Sequence, residues 1–235
     1  VSIDLQLLNK KIFIHIPKNA GMTIRKSEVI RSKILLAGPA LHKSPEYTRQ
    51  VKQTMDNNGD HHGFEHARWQ DLNTSFTSPL DSFAIVRNPW DRVISRYFFA
   101  QKVTLVEKKD DAPIGKYKID SLEHFLEDRH VWGNKPFMWH RAIRGWYPAY
   151  DYVMSNNILK CDIMRFENLN EDLCAYFKIP KMSRARNVTG LNKGSYRDLY
   201  NNKTIQIVAD WYKKDIDFWG YDFDTGPTKK YWNKS

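Results

Sequence analysis

The segment Lys11–Ile24, KIFIHIPKNAGMTI, constrains the fold more than any other stretch of the chain. Ile12, Ile14 and Ile16 alternate with Phe13 and His15, so the run is apolar on nearly both faces. A strand of that kind needs cover on each side, which is the position of a central strand in a parallel sheet. Pro17 stops it, Gly21 permits a tight turn, and Met22–Leu36 reads as one helix with Ile24, Val29, Ile30 and Ile34 inward. Strand, turn and helix at that spacing open a βαβ unit and hence an α/β fold. The 235 residues are expected to form one domain, with a central parallel sheet flanked by helices.

The rest of the chain is read in the same way. Glu46–Asn58 is expected as a helix, and Ser82–Val86 as a second buried strand with Arg87 at its end. Asn88 is placed to cap a helix that starts at Pro89, carries Asp91 in its first turn and ends near Lys102. The charged run near residues 103–118 holds Pro113 and Gly115 and reads as a mobile surface loop. Ser121 caps a helix ending near Arg129, and Tyr152–Val153 and Ile158–Met164 read as short strands. Leu169–Phe177 reads as a helix, and the region from Ser195 or Tyr196 to about Asp217 as one long final helix.

The formal net charge of +10 favours anionic ligands and surfaces. The basic residues are spread among acids rather than gathered in a tract, so no nucleic-acid partner is expected. Cys161 ends a strand and Cys174 lies in a helix, and the sequence leaves open whether the two pair. No signal peptide and no transmembrane segment are visible. That points to a cytoplasmic protein, or to the Golgi lumen if the chain is a trimmed soluble domain. Oligomeric state is not legible.

A strand feeding a glycine-containing turn aims backbone N–H groups at an anion, and here Lys18 adds a charge and Thr23 a hydroxyl. Nucleotide-triphosphate loops need Gly-Lys-Ser/Thr, with the hydroxyl on magnesium. Lys18 instead precedes the glycine, which disfavours a kinase. A second anion site is expected in SFAIVRNPWDRVISRY, Ser82–Tyr97. Arg87 leaves a buried strand where open α/β sheets place ligands, and Ser95 lies two turns down the following helix. The alternative makes Arg87 an ion-pair partner of Asp91.

Together these stretches resemble the PAPS-dependent sulfotransferases, PAPS being 3′-phosphoadenosine 5′-phosphosulfate. IPKNAGMTI resembles the family's 5′-phosphosulfate loop, and FAIVRNPWDRVISRY its 3′-phosphate motif. EHARW, IMRFENLNEDL and the C-terminal YRDLYNNKTIQIVADWYKKDIDFWGYDF extend the likeness, which is to the carbohydrate branch (the chondroitin and heparan sulfate 2-O types). Ala20 and Met22 depart from that branch, which often has Gly and a hydroxyl residue there. The resemblance implies a P-loop-like sulfotransferase fold, PAPS as donor, PAP as product and no metal. It implies that Lys18, Asn19, Ala20, Gly21, Met22 and Thr23 hold the 5′ group and that Arg87 and Ser95 hold the 3′-phosphate. Asn187 and Lys193 fall where the family carries a loop over the nucleotide.

Lys18 is expected to neutralise the leaving phosphate, and a His is expected as base, because imidazole changes charge near neutral pH. His61, His62 and His66 compete, and the resemblance favours His66. His15 reads as a core residue, and Arg165 with Glu167 as an ion pair at the sheet edge. Trp139, Arg141 and Arg144 are the acceptor candidates, with aromatic faces for sugar rings and cations for acidic groups. The implied acceptor is a carbohydrate. A tyrosine or small-molecule hydroxyl is the rival, and a non-catalytic binder of anionic glycans the reading outside enzymes.

Overall fold

The computed structural model describes residues 9–57, 64–101, 120–127, 147–180 and 195–224. Its centre is a parallel four-stranded sheet in the order β2-β1-β3-β6, formed by β1 (Lys11–Ile14), β2 (Ile34–Leu36), β3 (Ser82–Val86) and β6 (Asp162–Arg165). A two-residue hairpin pairs β4 (Met154–Ser155) with β5 (Ile158–Leu159). The period of two decides the layers. Ile12, Ile14, Ala84, Val86 and Ile163 face one core with Trp69, Tyr152 and Trp219. Phe13, Phe83, Ile85 and Met164 face the other, against Ile24, Ile30, Leu173 and Phe177. β3 is buried at all five positions, as a strand covered on both faces must be.

This is the expected α/β fold, and several elements fall where the sequence places them. Helices cover Pro45–Asn57, Pro89–Gln101, Leu122–Glu127 and Leu169–Phe177. Asn88 caps the Pro89 helix, its Oδ1 accepting from the Trp90 amide at 3.0 Å. Ser121 Oγ accepts from the His124 amide at 3.1 Å. Cys161 and Cys174 are both free thiols.

Three expectations are corrected. The helix expected over Met22–Leu36 is two short helices, Gly21–Lys26 and Glu28–Arg31, followed by β2. Ser27 breaks them apart in an extended conformation and caps the second. Val29, expected inward, is 50% exposed, while Ile34 pairs in the sheet opposite Lys11. Tyr152–Val153 ends a helix, Ala149–Val153, because the Asp215 carboxylate accepts from the Ala149 and Tyr150 amides at 2.8 and 2.7 Å. The long final helix is a 3-10 turn (Tyr196–Leu199) and two helices, Asn202–Trp211 and Lys213–Trp219, broken at Tyr212. The run expected as a mobile loop lies outside the described residues. Among the described residues, no helix is long and apolar enough to cross a membrane.

Candidate active site

β1, β3 and β6 are adjacent and parallel, so their C-terminal ends open on one edge. There β1 delivers the segment His15–Ala20, β3 delivers Arg87, and β6 delivers Phe166 and Glu167. Lys18 (φ 67) and Ala20 (φ 60) both take left-handed backbone conformations. Turns of that kind curl successive N–H groups into an anion-binding concavity.

The turn's polar groups are anchored from behind. Arg92 Nε donates to the Pro17 carbonyl at 3.1 Å and Arg87 Nη1 to the Lys18 carbonyl at 2.9 Å. Asn19 is fully buried, and its Nδ2 donates to the Ile85 carbonyl at 2.7 Å. Two turn carbonyls are therefore occupied by arginines of the second motif. Arg92 is itself held by the Tyr147 carbonyl at 2.7 Å, close to the helix that Asp215 caps. Burial pushes the Asp215 carboxyl up to about 6, against the charge of Arg92 and the two amide bonds.

Gly21 has a different role from the one expected. It is not among the left-handed residues, and the tight turn rests on Lys18 and Ala20 instead. What Gly21 permits is close approach, since a Cβ there would lie 1.6 Å from His15 Nε2. His15 is buried, as expected, yet it also belongs to the site. Its ring centroid is 4.1 Å from that of His66, and its carbonyl is 2.8 Å from His66 Nδ1. A carbonyl only accepts, so Nδ1 carries the hydrogen and Nε2 is the basic nitrogen of His66. Arg25 Nη1 pairs with Glu65 Oε1 at 2.6 Å, which ties the helix after the turn to the residue beside His66.

Arg87 pairs with Asp91 through Nε and Nη2, each at 2.8 Å, while its guanidinium lies 3.9 Å from the Phe166 ring centroid. The ion pair with Asp91, the alternative reading of Arg87, is therefore formed. The bonds to Asp91 and Lys18 use three of the five guanidinium N–H groups, leaving one on each terminal nitrogen. Asp91, Ser95 and Phe99 recur every four residues and share one face of the Pro89 helix. Lys18 Nζ rests 4.4 Å over the Phe99 ring. Met22 and Thr23 sit in the first turn of the helix after the loop, both half-buried.

The expected ion pair between Arg165 and Glu167 is not formed, and each side chain has other partners. Arg165 lies 3.7 Å from the Asp172 carboxylate. Glu167 accepts from the Asn88 amide at 2.6 Å and from the Tyr221 hydroxyl at 3.2 Å, and burial pushes its carboxyl up. Phe166 and Glu167 therefore brace Arg87 and the residue after it, a role the sequence did not reveal. Asp91, Arg25 and Glu65 were likewise unassigned to the site. Asn187, Lys193, Trp139, Arg141, Arg144, His61 and His62 lie outside the described residues.

The geometry is thus a turn and an arginine joined at one rim, with an oriented histidine beside them. The family described as the sulfotransferase family matches residues 9–222 of the chain. The chain belongs to the sulfotransferase family. Among curated proteins, sulfotransferase 2A2 of Rattus norvegicus is 31% identical over 103 residues, which is 44% of this chain and 30% of that protein. The match thus spans less than a third of the relative's length. No solved structure matches.

Proposed function

We propose that this sulfotransferase-family chain moves a sulfuryl group from PAPS to a hydroxyl on a carbohydrate. The observation that carries the reading is the bond from Arg87 Nη1 to the Lys18 carbonyl, 2.9 Å long and spanning 69 positions. It joins the expected 5′-phosphosulfate loop and the expected 3′-phosphate arginine into one rim. The residues present fit a ligand with two anionic ends. Left-handed Lys18 and Ala20 give the turn a backbone pattern from which anion-binding concavities are built, and Arg87 keeps two N–H groups beyond its three bonds. PAPS, when bound, supplies the sulfuryl group and the phosphate that leaves with its electron pair.

The residues divide the work. Arg87 and the Ser95 hydroxyl hold the 3′-phosphate and so select against ATP, with Asp91 and Phe166 fixing the guanidinium plane. Asn19 fixes the turn, so that the N–H groups around Ala20, Gly21 and Met22 and the Thr23 hydroxyl meet the 5′ group. Lys18 exchanges the Phe99 ring for the leaving phosphate, a stronger charge-assisted contact. His66 Nε2 takes the acceptor hydroxyl's proton as the oxygen attacks, and the His15 carbonyl stabilises the imidazolium through Nδ1–H. The acceptor side is assigned to Trp139, Arg141 and Arg144, and further donor contacts to Asn187 and Lys193, on the sequence resemblance alone.

The test is a comparison of PAP with ATP in thermal unfolding, followed by transfer of labelled sulfate from PAPS. At a hundredfold excess over its Kd, PAP stabilises by about 2.7 kcal/mol, which for a chain of this size raises Tm by roughly 5–10 °C. Equal or absent shifts with the two nucleotides overturn PAPS as donor. Labelling of tyrosine peptides or phenols in preference to glycans overturns the carbohydrate acceptor.

A further inference from the structure

Sulfuryl transfer uses one nitrogen of His66 and does not explain the two metal-ligand side chains beside it. His15, Glu65 and His66 each place a donor atom within 4.8 Å of the others, although His15 lies 50 and 51 positions from the other two. Two histidines and a carboxylate make a donor set used by catalytic zinc sites, which leave a fourth position open. The group also carries the outer hydrogen bonds that orient metal ligands. The His15 carbonyl holds Nδ1–H of His66, so Nε2 presents the lone pair. Arg25 engages Glu65 Oε1, which leaves Oε2 for an ion. The His15 ring is wedged between Phe13, His66 and Gly21, so its orientation is fixed by packing.

Zinc with bonds of about 2.0–2.1 Å needs donors about 3.4 Å apart. Closing the group around an ion therefore asks for movement on the order of 1 Å. Glu65 and His66 are only half-buried and stand on a short 3-10 turn, Phe64–His66, so they can supply it. We propose that His15, Glu65 and His66 form a site for a divalent cation of the zinc class, whose binding takes Nε2 of His66 and silences the base. The inhibitory half rests on the role proposed above for His66, whereas the binding half does not. Copper(II) fits the same donors, and magnesium, which wants an octahedron of oxygens, does not.

The experiment is calorimetric titration of the untagged chain with zinc chloride, with magnesium chloride as comparison. One zinc per chain is expected, removable by EDTA, with no magnesium binding. Glu65→Gln keeps an amide oxygen for Arg25 and should weaken zinc by about tenfold or more without lowering Tm, since even loss of an outer hydrogen-bond partner costs about 10–100-fold. His66→Ala should weaken it at least as much. The His61→Asn/His62→Asn double variant should bind as the wild type does. Wild-type affinity in both Glu65→Gln and His66→Ala, or loss only in the His61/His62 variant, overturns the site. Sulfate transfer at saturating zinc should fall at least tenfold and recover with EDTA. Undiminished turnover with the ion bound overturns the inhibition. A chain that transfers no sulfate under any condition overturns the proposed function, and the zinc titration then decides the site by itself.

Discussion

Adding one methyl group at Gly21 separates two physical reasons for a glycine in this turn. If glycine serves close approach of a phosphate, Gly21→Ala should keep its Tm and lose PAP binding. The structure gives the other reason. An added Cβ would lie 1.6, 2.2 and 2.4 Å from three atoms of the His15 ring, far inside carbon contact distance. The ring must then move by well over 1 Å, yet Phe13 stacks beside it at 5.3 Å and His66 lies at 4.1 Å. Overpacking of this kind costs about 1–3 kcal/mol, and a chain of this size loses roughly 2–4 °C of Tm per kcal/mol. A fall of roughly 2–12 °C is expected. The decisive comparison adds His15→Ala, which removes the ring but keeps the carbonyl that holds His66. In Gly21→Ala/His15→Ala the methyl enters vacated space, so urea melts should show the pair costing less than the sum of the singles by about 1 kcal/mol or more. Singles that add to within about 0.5 kcal/mol refute the reasoning.

Two further outcomes follow from the geometry. His66→Ala should lower turnover by about 10²–10⁴-fold and leave the PAP-induced rise in Tm intact, and a kcat within tenfold of wild type would put the base on another residue. Asp215 titrates at about 6 in the folded chain against 3.8 ordinarily, so between those values the folded state holds a proton that the unfolded chain has released. Its contribution is therefore greatest below about pH 4 and is lost as pH rises through about 6. The stability of the wild type relative to Asp215→Asn should fall by on the order of 2–3 kcal/mol between pH 4 and pH 7 in urea melts, and a flat or rising difference contradicts the assignment.

The sequence was legible where the determining signal was local. Four apolar residues in a row after Ser82 marked β3, and Asn88-Pro89 marked the start of the next helix, because capping needs only neighbours. It misled where partners distant in sequence decided the outcome. Ile34–Leu36 continued a helical pattern yet became β2, since pairing with β1 outweighs local preference. Tyr152 and Val153 have strand character, but Asp215, more than sixty positions on, caps them into a helix. In the candidate site, Lys18 and Arg87 were found separately, while the bond between them was not visible. The roles of His15, Glu65 and Phe166 depend on which residues the fold brings alongside, and no spacing along the chain announces that.

The anchors behind the turn also bear on how the protein matures. Asn19 reaches Ile85, Lys18 is met by Arg87 and Pro17 by Arg92, across 66, 69 and 75 positions. A nascent chain that has made only its first βα unit has none of these partners, and closing such long loops carries an entropic cost that must come first. The turn cannot acquire its shape locally and wait. It is set only when β3 and the Pro89 helix have docked, so a nucleotide that binds it stabilises finished molecules and gives no help to half-built ones. On the proposed function, donor occupancy would report assembly, because a chain that holds nucleotide must already have joined Pro17–Asn19 to Ile85, Arg87 and Arg92.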